Sequence, residues 1–509
     1  MERRNYIVAV DLGTSSVVVA VGGKSAEGPV EVLSLVSKPV EGVHAGRIEN
    51  IELVSRAIRE AVAETEQALN IRITEAYAGI SGEFVRCARH TDHVFVYDPQ
   101  NGVNQKDVEA LFDRMRNVQA PDDETIMERV PQNYMVDDSQ EVQNPVGSFG
   151  RKLSSTFNFI LCLNTPKQRL DMALKRLGIR MLGLIPDTLA TPESVLVPDE
   201  KEEGVAVVGL GAGVTDVTVY YRNVVRYVAS IPMGASAINR DIRTMSVPEK
   251  HVESLKQKYG SAVAELAPED KLIRVNGRTA REAKDILLRN LATVIEARAT
   301  DIVEFVQQEI KDSGYADKLA YGIVLTGGGA KLKDVDELFR RLTGMDVRIA
   351  VPESGITEES REKCADPAWA TAVGLLLKGA ESGSCAVMER AGGAPERPFA
   401  EPQHRPQGYA APTPSMPNFN HVPPVQPAQP ARPVQPTQRV QPVQPVQPPV
   451  QPAQPVQPVA AEPSAGEEPR ERETPEPPKR KRGLASMIQS TIDRINKGFM
   501  AAESDNEEI

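Results

Sequence analysis

Three glycine-bearing segments, each closing an apolar run, constrain this chain more than any other feature. They are Val8-Ala9-Val10-Asp11-Leu12-Gly13-Thr14-Ser15-Ser16, Val207-Val208-Gly209-Leu210-Gly211-Ala212-Gly213-Val214-Thr215-Asp216 and Ile323-Val324-Leu325-Thr326-Gly327-Gly328-Gly329-Ala330. Runs of this kind read as strands that end in tight loops. Lacking a Cβ, glycine lets backbone N–H groups approach phosphate oxygens closely and adopt φ > 0. Any one segment would suit a glycine-rich turn between strands equally well. Together, spread over the first two-thirds of 509 residues, they point to a nucleotide held between two related half-molecules. Each side would then contribute a phosphate-gripping loop.

The halves repeat one plan. Residues 6–21 and 30–36 read as paired strands, followed by a helix over 53–68. Residues 205–221 and 224–230 repeat the strands, with Arg222-Asn223 as a tight turn, which argues for internal duplication. Between the halves, 84–163 has the pattern of strands at 93–97 and 156–162 and a helix at 106–118, a small inserted α/β subdomain. The stretch 235–310 reads as mostly helical. Within 280–311, apolar residues at 286, 287, 291, 294, 295, 302, 303 and 306 fall close to a 3.6-residue period. A small-residue helix over 368–377 could pack closely between domains. The third loop precedes a helix expected to start near Leu332, so its backbone could approach the face of an adenine or a ribose.

Composition changes sharply near residue 390, where Pro, Gln, Val and Ala take over and a Pro-Val-Gln-Pro unit recurs between Pro433 and Pro458. Such a tract cannot bury a core and favours polyproline II. Its roughly 85 residues would span roughly 260 Å at full extension. It reads either as a passive spacer or as a docking tract for a proline-binding partner. Beyond it lies the cluster Lys479, Arg480, Lys481 and Arg482. Leu484, Ile488, Ile492, Ile495 and Phe499 then share one helical face with Met487 and Thr491, while polar residues take the other. An amphipathic helix beside a cationic cluster suits an anionic membrane surface. The alternatives are a helix docking back on its own core and a solvated basic stretch. Overall the chain is mildly acidic, with 59 Lys and Arg against 70 Asp and Glu and a net charge of −11, so it carries no global footprint for nucleic acid. Its four cysteines show no C-x-x-C spacing, which speaks against structural zinc and fits a reducing cytosol. No secretion signal or bilayer-spanning window is expected.

Asp11 stands where its strand ends. A carboxylate there either holds magnesium through water, while Gly13, Thr14 and Ser15 turn N–H groups and hydroxyls toward phosphate, or closes an Asx-turn. The three loops resemble the ATPase core shared by actin, sugar kinases and heat-shock chaperones. Narrower resemblances lie in Tyr77-Ala78-Gly79-Ile80-Ser81-Gly82, Pro131-Gln132-Asn133-Tyr134, Asn144-Pro145-Val146-Gly147, Ile295-Glu296-Ala297-Arg298 and Thr371-Ala372-Val373-Gly374-Leu375-Leu376. These are similar to the FtsA family of bacterial cell-division proteins, over about residues 5–380 and the last twenty or so.

The resemblance implies an α/β fold: an actin-like two-domain ATPase core with an inserted small α/β subdomain, then a disordered Pro/Gln-rich linker and a C-terminal amphipathic helix. In those terms 5–83 with 163–200 form the first subdomain, 84–162 the insert, and 204–234 with 320–380 the second. Residues 235–319 form a helical subdomain, 390–478 the linker, and 479–500 the basic cluster and membrane helix. The family binds ATP and polymerises on the inner face of the cytoplasmic membrane, where it anchors FtsZ filaments at the division site. The resemblance assigns nucleotide contacts to Asp11, Gly13, Thr14, Ser15, Gly211, Ala212, Gly213, Val214, Gly234, Gly327, Gly328 and Gly329, with ATP and Mg2+ as ligands. It assigns the FtsZ C-terminal peptide to Arg298 and Asp301, although an exposed i, i+3 charge pair would account for both. Other division proteins would meet the insert. Asn239 and Asp241, after Pro232-Met233-Gly234, match the stretch near the ribose, or cap the following helix.

One departure stands out. The second phosphate loop of this fold normally opens with an aspartate that orders magnesium and the attacking water; here that position is Gly209. Phosphoryl transfer depends mostly on positioning and electrostatics, so slow or absent hydrolysis is expected and no catalytic residue is assigned. Asp216 could substitute for it, but lies beyond the loop and reads rather as a turn cap. The rival readings are a metabolite kinase on the same core, for which no acidic base is evident, and an envelope or pilus assembly scaffold.

Overall fold

The computed structural model describes residues 5–24, 28–138, 140–275 and 283–389. The Pro/Gln-rich linker at 390–478 and the basic amphipathic segment at 479–500 therefore lie outside the described residues. The chain divides into units of residues 1–403 and 404–509, and the fold below belongs to the first.

Apolar β-branched runs dictate two sheets of the same design. Val8, Val10, Val17, Val19 and Val21 are fully buried, as strands covered on both faces require. In the first sheet, Glu31–Pro39, Ser16–Lys24 and Asn5–Leu12 form an antiparallel meander. Glu75–Ile80 and Arg180–Pro186 then add in parallel on its far side. The second sheet has Val224–Ile231, Thr215–Tyr221 and Val205–Leu210 as the meander. Ile323–Thr326 and Val347–Ile349 add in parallel. The order is the same in both sheets, so the internal duplication extends to topology. Arg222 and Asn223 both have positive φ, 56° and 60°, the geometry of a two-residue hairpin turn that matches strand twist.

Helix Ile51–Leu69 begins at Asn50, whose side chain accepts the Glu52 and Leu53 N–H groups, and ends at Asn70 in the left-handed region. Its Val54, Ile58, Ala61 and Val62 face is buried against the first sheet's core. Between Glu75–Ile80 and Arg180–Pro186 comes a separate four-stranded antiparallel sheet of Val85–Phe95, Glu124–Val136, Gln140–Val142 and Lys152–Leu163. The helix Gln105–Arg116 accompanies it, closed by a capping box between Asn104 and Asp107. The strand expected at 93–97 starts earlier and stops at Phe95.

Two helical expectations are corrected. The stretch 280–311 is not helical throughout: Lys284–Leu287 pairs antiparallel with Leu272–Val275, placing Ile286 opposite Ile273. The helix starts only at Leu288 and runs to Asp312. Ile286 is buried by cross-strand packing, which helical periodicity alone cannot distinguish from a helical face. After the third loop, a single 3-10 turn at Gly328–Lys331 intervenes, and the helix begins at Val335 rather than near Leu332.

The halves are joined by two helices, Asp187–Val195 leaving the first sheet and Ala370–Ser382 returning to it. They cross at Gly374, where a Cβ would collide with the Ala190 carbonyl. Thr191 and Thr371 share a 2.9 Å hydrogen bond beside the crossing, and Ser194 donates to the Ala370 carbonyl at 2.7 Å.

The insert is tied to the second sheet. Arg226 on Val224–Ile231 is 1% exposed and donates to Gln132 and Asn133 of the insert. Asn158 donates to the Arg226 carbonyl at 2.8 Å, and Gln132 donates to the Val225 carbonyl at 3.0 Å.

Placing a side chain at the crossing should loosen the whole core. Gly374→Val is expected to destabilise it by about 1–3 kcal/mol in a denaturant titration. A surface control such as Gly147→Ala, where a Cβ meets no atom within 4 Å, should have a smaller effect, limited to its positive φ.

Candidate functional site

A cavity of about 600 Å³ opens between the two sheets, and all three glycine loops reach it. Asp11, Gly13, Thr14 and Ser15 line it from the first sheet; Gly211, Ala212, Gly213 and Val214 from the second; Gly327, Gly328 and Gly329 from the third loop. The loops converge because each ends a central strand of its sheet: Asn5–Leu12 and Val205–Leu210 hold equivalent places, and Ile323–Thr326 lies beside the latter. Gly327 has φ +86°, where any other residue would be strained, and its N–H donates to the Pro367 carbonyl. Gly234 is not part of the lining. It stands behind it, at the start of a helix whose Ala235 and Ser236 N–H groups bond the Gly211 and Ala212 carbonyls.

The floor carries three carboxylates. Asp11 is the penultimate residue of the first central strand, Asn5–Leu12. Asp216 lies in the strand Thr215–Tyr221, directly across the hairpin from Gly209. This corrects the turn-cap reading: in a strand its side chain points to one face, here into the cavity. It accepts Ser81 Oγ at 2.7 and 2.8 Å from the first half and Ser230 Oγ at 2.5 Å from its own sheet. Asp187, which the sequence did not single out, is the third, at the first position of the crossing helix. It is 7% exposed and its Oδ1 has no hydrogen-bond partner.

Burial and mutual repulsion shape the charge state of this floor. Burial first, then the charge of Asp216, raises Asp11 to about 7. Burial raises Asp216 to about 6 against the opposing pull of the Ser230 and Ser81 hydroxyls. Asp187 is pushed well above the usual carboxylate range by burial, then by Asp11 and Asp216, with the Ile80 N–H opposing. Such a cluster is costly unless a cation or bound donors offset it.

The other end of the cavity is polar in a different way. Asn239 lines it, donates to Glu253 at 2.6 Å and leaves its own Oδ1 without a partner. Lys256 reaches the Ala235 carbonyl at 3.3 Å and pairs with Glu253 at 2.9 Å. Neither Glu253 nor Lys256 was marked in the sequence; a Glu-x-x-Lys on a helix reads as a solvated pair. Asp241 does not face the cavity and does not cap a helix. It accepts Arg298 Nε at 2.6 Å, and the same guanidinium pairs with Asp301 at 2.9 Å. Arg298 and Asp301 thus lie together on helix Leu288–Asp312, and neither lines the cavity.

The residues fit a nucleotide with a hydrated divalent cation. Unpartnered buried acceptors stand at both ends, Asp187 Oδ1 on the carboxylate floor and Asn239 Oδ1 at the far side. Oxygen donors of this kind suit Mg2+, which keeps several waters and takes one or two carboxylates. Among the described residues no three His, Cys, Asp or Glu side chains stand close enough to grip a metal directly. Lys479, Arg480, Lys481, Arg482 and the apolar face through Phe499 lie outside the described residues. No helix among the described residues is long and apolar enough to cross a membrane.

Comparison with known proteins adds family evidence. A family model described as "Cell division protein FtsA" matches residues 206–374, and one described as "SHS2 domain inserted in FTSA" matches 82–161. The Cell division protein FtsA of Pseudomonas aeruginosa is 33% identical over 381 residues, covering 74% of this chain and 90% of that protein. That of Escherichia coli is 30% identical over 389 residues, covering 74% and 91%. Among solved structures, a chain of the PilM-PilN type IV pilus biogenesis complex superposes with a TM-score of 0.50 at 14% identity, covering 73% of this chain and 98% of that one. That last similarity concerns the fold alone.

The raised acids make a pH prediction. A carboxyl whose folded pKa lies above its unfolded value favours the folded state at low pH and loses that contribution as pH rises toward the folded value. In nucleotide-free, metal-free protein, Asp11→Asn should therefore melt higher than the wild type above pH 7, by a gain on the order of a few kcal/mol. The two should converge toward pH 4. Thermal melts at pH 4 to 8 check this, and parallel curves would contradict it.

Proposed function

Because the chain belongs to the FtsA family of bacterial cell-division proteins, with an actin-like core, we propose that it binds ATP with Mg2+ in the cleft and polymerises in that state. The polymer anchors FtsZ filaments to the inner face of the cytoplasmic membrane. The observation that carries this reading is the convergence of three glycine loops, from two duplicated sheets, on one cavity. Thr14 and Ser15 on one side and Ala212 and Gly213 on the other supply N–H groups for the phosphates, while the Gly13 and Gly211 N–H groups close their own loops onto the Ser16 and Val214 carbonyls. Asn239 and Glu253 offer acceptors for ribose hydroxyls.

Hydrolysis is slow in this reading. Gly209 brings no carboxylate to the cation, and Asp216 already accepts two serine hydroxyls. The nucleotide would act mainly to fix the relative setting of the two halves. Ser81 reaching across to Asp216 already spans the cleft, which supports closure as the response to binding.

The helix Leu288–Asp312 is the proposed seat of the FtsZ tail. Arg298 is 30% exposed and shared between Asp241 and Asp301, so an acidic peptide would take over one of these pairings. The insert would receive other division proteins, and the segment from Lys479 to Phe499 the anionic membrane surface.

Co-sedimentation with FtsZ and vesicles containing anionic lipid tests the reading. The full chain should carry FtsZ into the lipid pellet. Arg298→Glu should lose FtsZ while still pelleting with vesicles, and reversing the charges at Lys479 through Arg482 should release both. FtsZ recovered equally with all three proteins would refute the assignment.

A further inference from the structure

The way Arg298 is already paired limits what can dock beside it. We infer that the seat on helix Leu288–Asp312 takes a segment of mixed charge, with an acidic side chain for Arg298 and a basic side chain for Asp241, rather than a purely acidic one. This rests on the partner reading above and names the chemistry of the segment that fits that surface.

Arg298 is not an open cation. Its Nε donates to Asp241 Oδ2 at 2.6 Å and its Nη2 to Oδ1 at 3.4 Å, so Asp241 covers one forked edge of the guanidinium. The remaining nitrogen, Nη1, donates to Asp301 at 2.9 Å. A forked edge is what a carboxylate grips best, so an incoming acid competes with Asp241 first. Asp241 is carried by a different helix, Ala235–Thr244, which packs against Leu288–Asp312. Asp301 lies on the same helix as Arg298 and can keep its contact while the exchange takes place.

Charge counts against a purely acidic ligand. Asp241, Asp301 and the exposed Glu304, one turn further along, stand against Arg298 and the exposed Arg240: three carboxylates to two guanidiniums. Such a surface does not attract an anion. Exchanging one half-exposed ion pair for another gains little, and it strands Asp241, only 30% exposed, without its cation. A basic side chain on the docking segment removes both costs. It takes up the freed Asp241 carboxylate and cancels the excess negative charge. The surface runs acid, base, acid through Asp241, Arg298 and Asp301, and a segment with a base next to its acid is the complement of that order.

The test is a double-mutant cycle on the full chain with a labelled FtsZ C-terminal peptide, read by fluorescence anisotropy. An alanine scan of the peptide should find at least one acidic and one basic residue whose loss weakens binding, each by about 2- to 5-fold. Losing that basic residue should cost nothing in Asp241→Asn and the full amount in Asp301→Asn. Losing the acidic residue should cost nothing in Arg298→Gln. Asp241→Asn leaves Arg298 its contact with Asp301, and an unchanged circular dichroism spectrum shows that the variant is folded. A scan in which only acidic residues matter would overturn the inference, as would a basic residue whose loss costs as much in Asp241→Asn as in wild type. A wild type that binds the peptide no better than Arg298→Glu would instead overturn the seat itself, and this inference with it.

Discussion

Everything in the cleft depends on two helices that touch without a side chain between them. At Gly374 the returning helix lies directly on the Ala190 carbonyl. Backbone-to-backbone contact of this kind tolerates little variation in distance, because interiors are packed like crystals. The spacing of the two sheets follows from it, and so does the width of the cavity. Asp187 begins one of these helices and Thr371 lies on the other, so the same crossing that joins the halves also sets part of the cavity's wall.

The second organising fact is the duplication. Two sheets with the same strand order present the ends of equivalent central strands to one another. This makes a symmetric grip on something phosphate-sized, and then the symmetry breaks where chemistry would occur. Asp11 has no counterpart at Gly209. The nearest acid on that side, Asp216, is engaged by serines from both halves. A site arranged in this way is tied across the cleft rather than equipped with a free acid on that side, in keeping with the proposed role of the nucleotide in setting the two halves.

The sheets, the hairpin at Arg222-Asn223 and the three loops were legible in the sequence because each rests on local rules: β-branched runs, alternation and glycine at strand ends. What was not legible depended on distant neighbours. Asp216 stands in Val214-Thr215-Asp216-Val217-Thr218-Val219, whose alternation could have marked it as a strand residue facing one side; reading it as a turn cap gave too much weight to the adjacent glycines. Asp187 follows Pro186 and looks like any acid in a first helical turn. Only the packing of that helix under Gly79 shows it to be buried. The hairpin at Lys284–Leu287 was hidden because Ile286 and Leu287 also fit the period of the helix that follows.

Arg226 gives the insert an unexpected place in this arrangement. Its strand, Val224–Ile231, pairs antiparallel with the strand that carries Asp216, with a register shift at Arg226 itself, and places Ser230 opposite that acid. The same strand is held to the insert through Gln132, Asn133 and Asn158. Load applied to the insert is therefore borne one strand away from the bond that spans the cleft, and the insert is mechanically in series with that cleft.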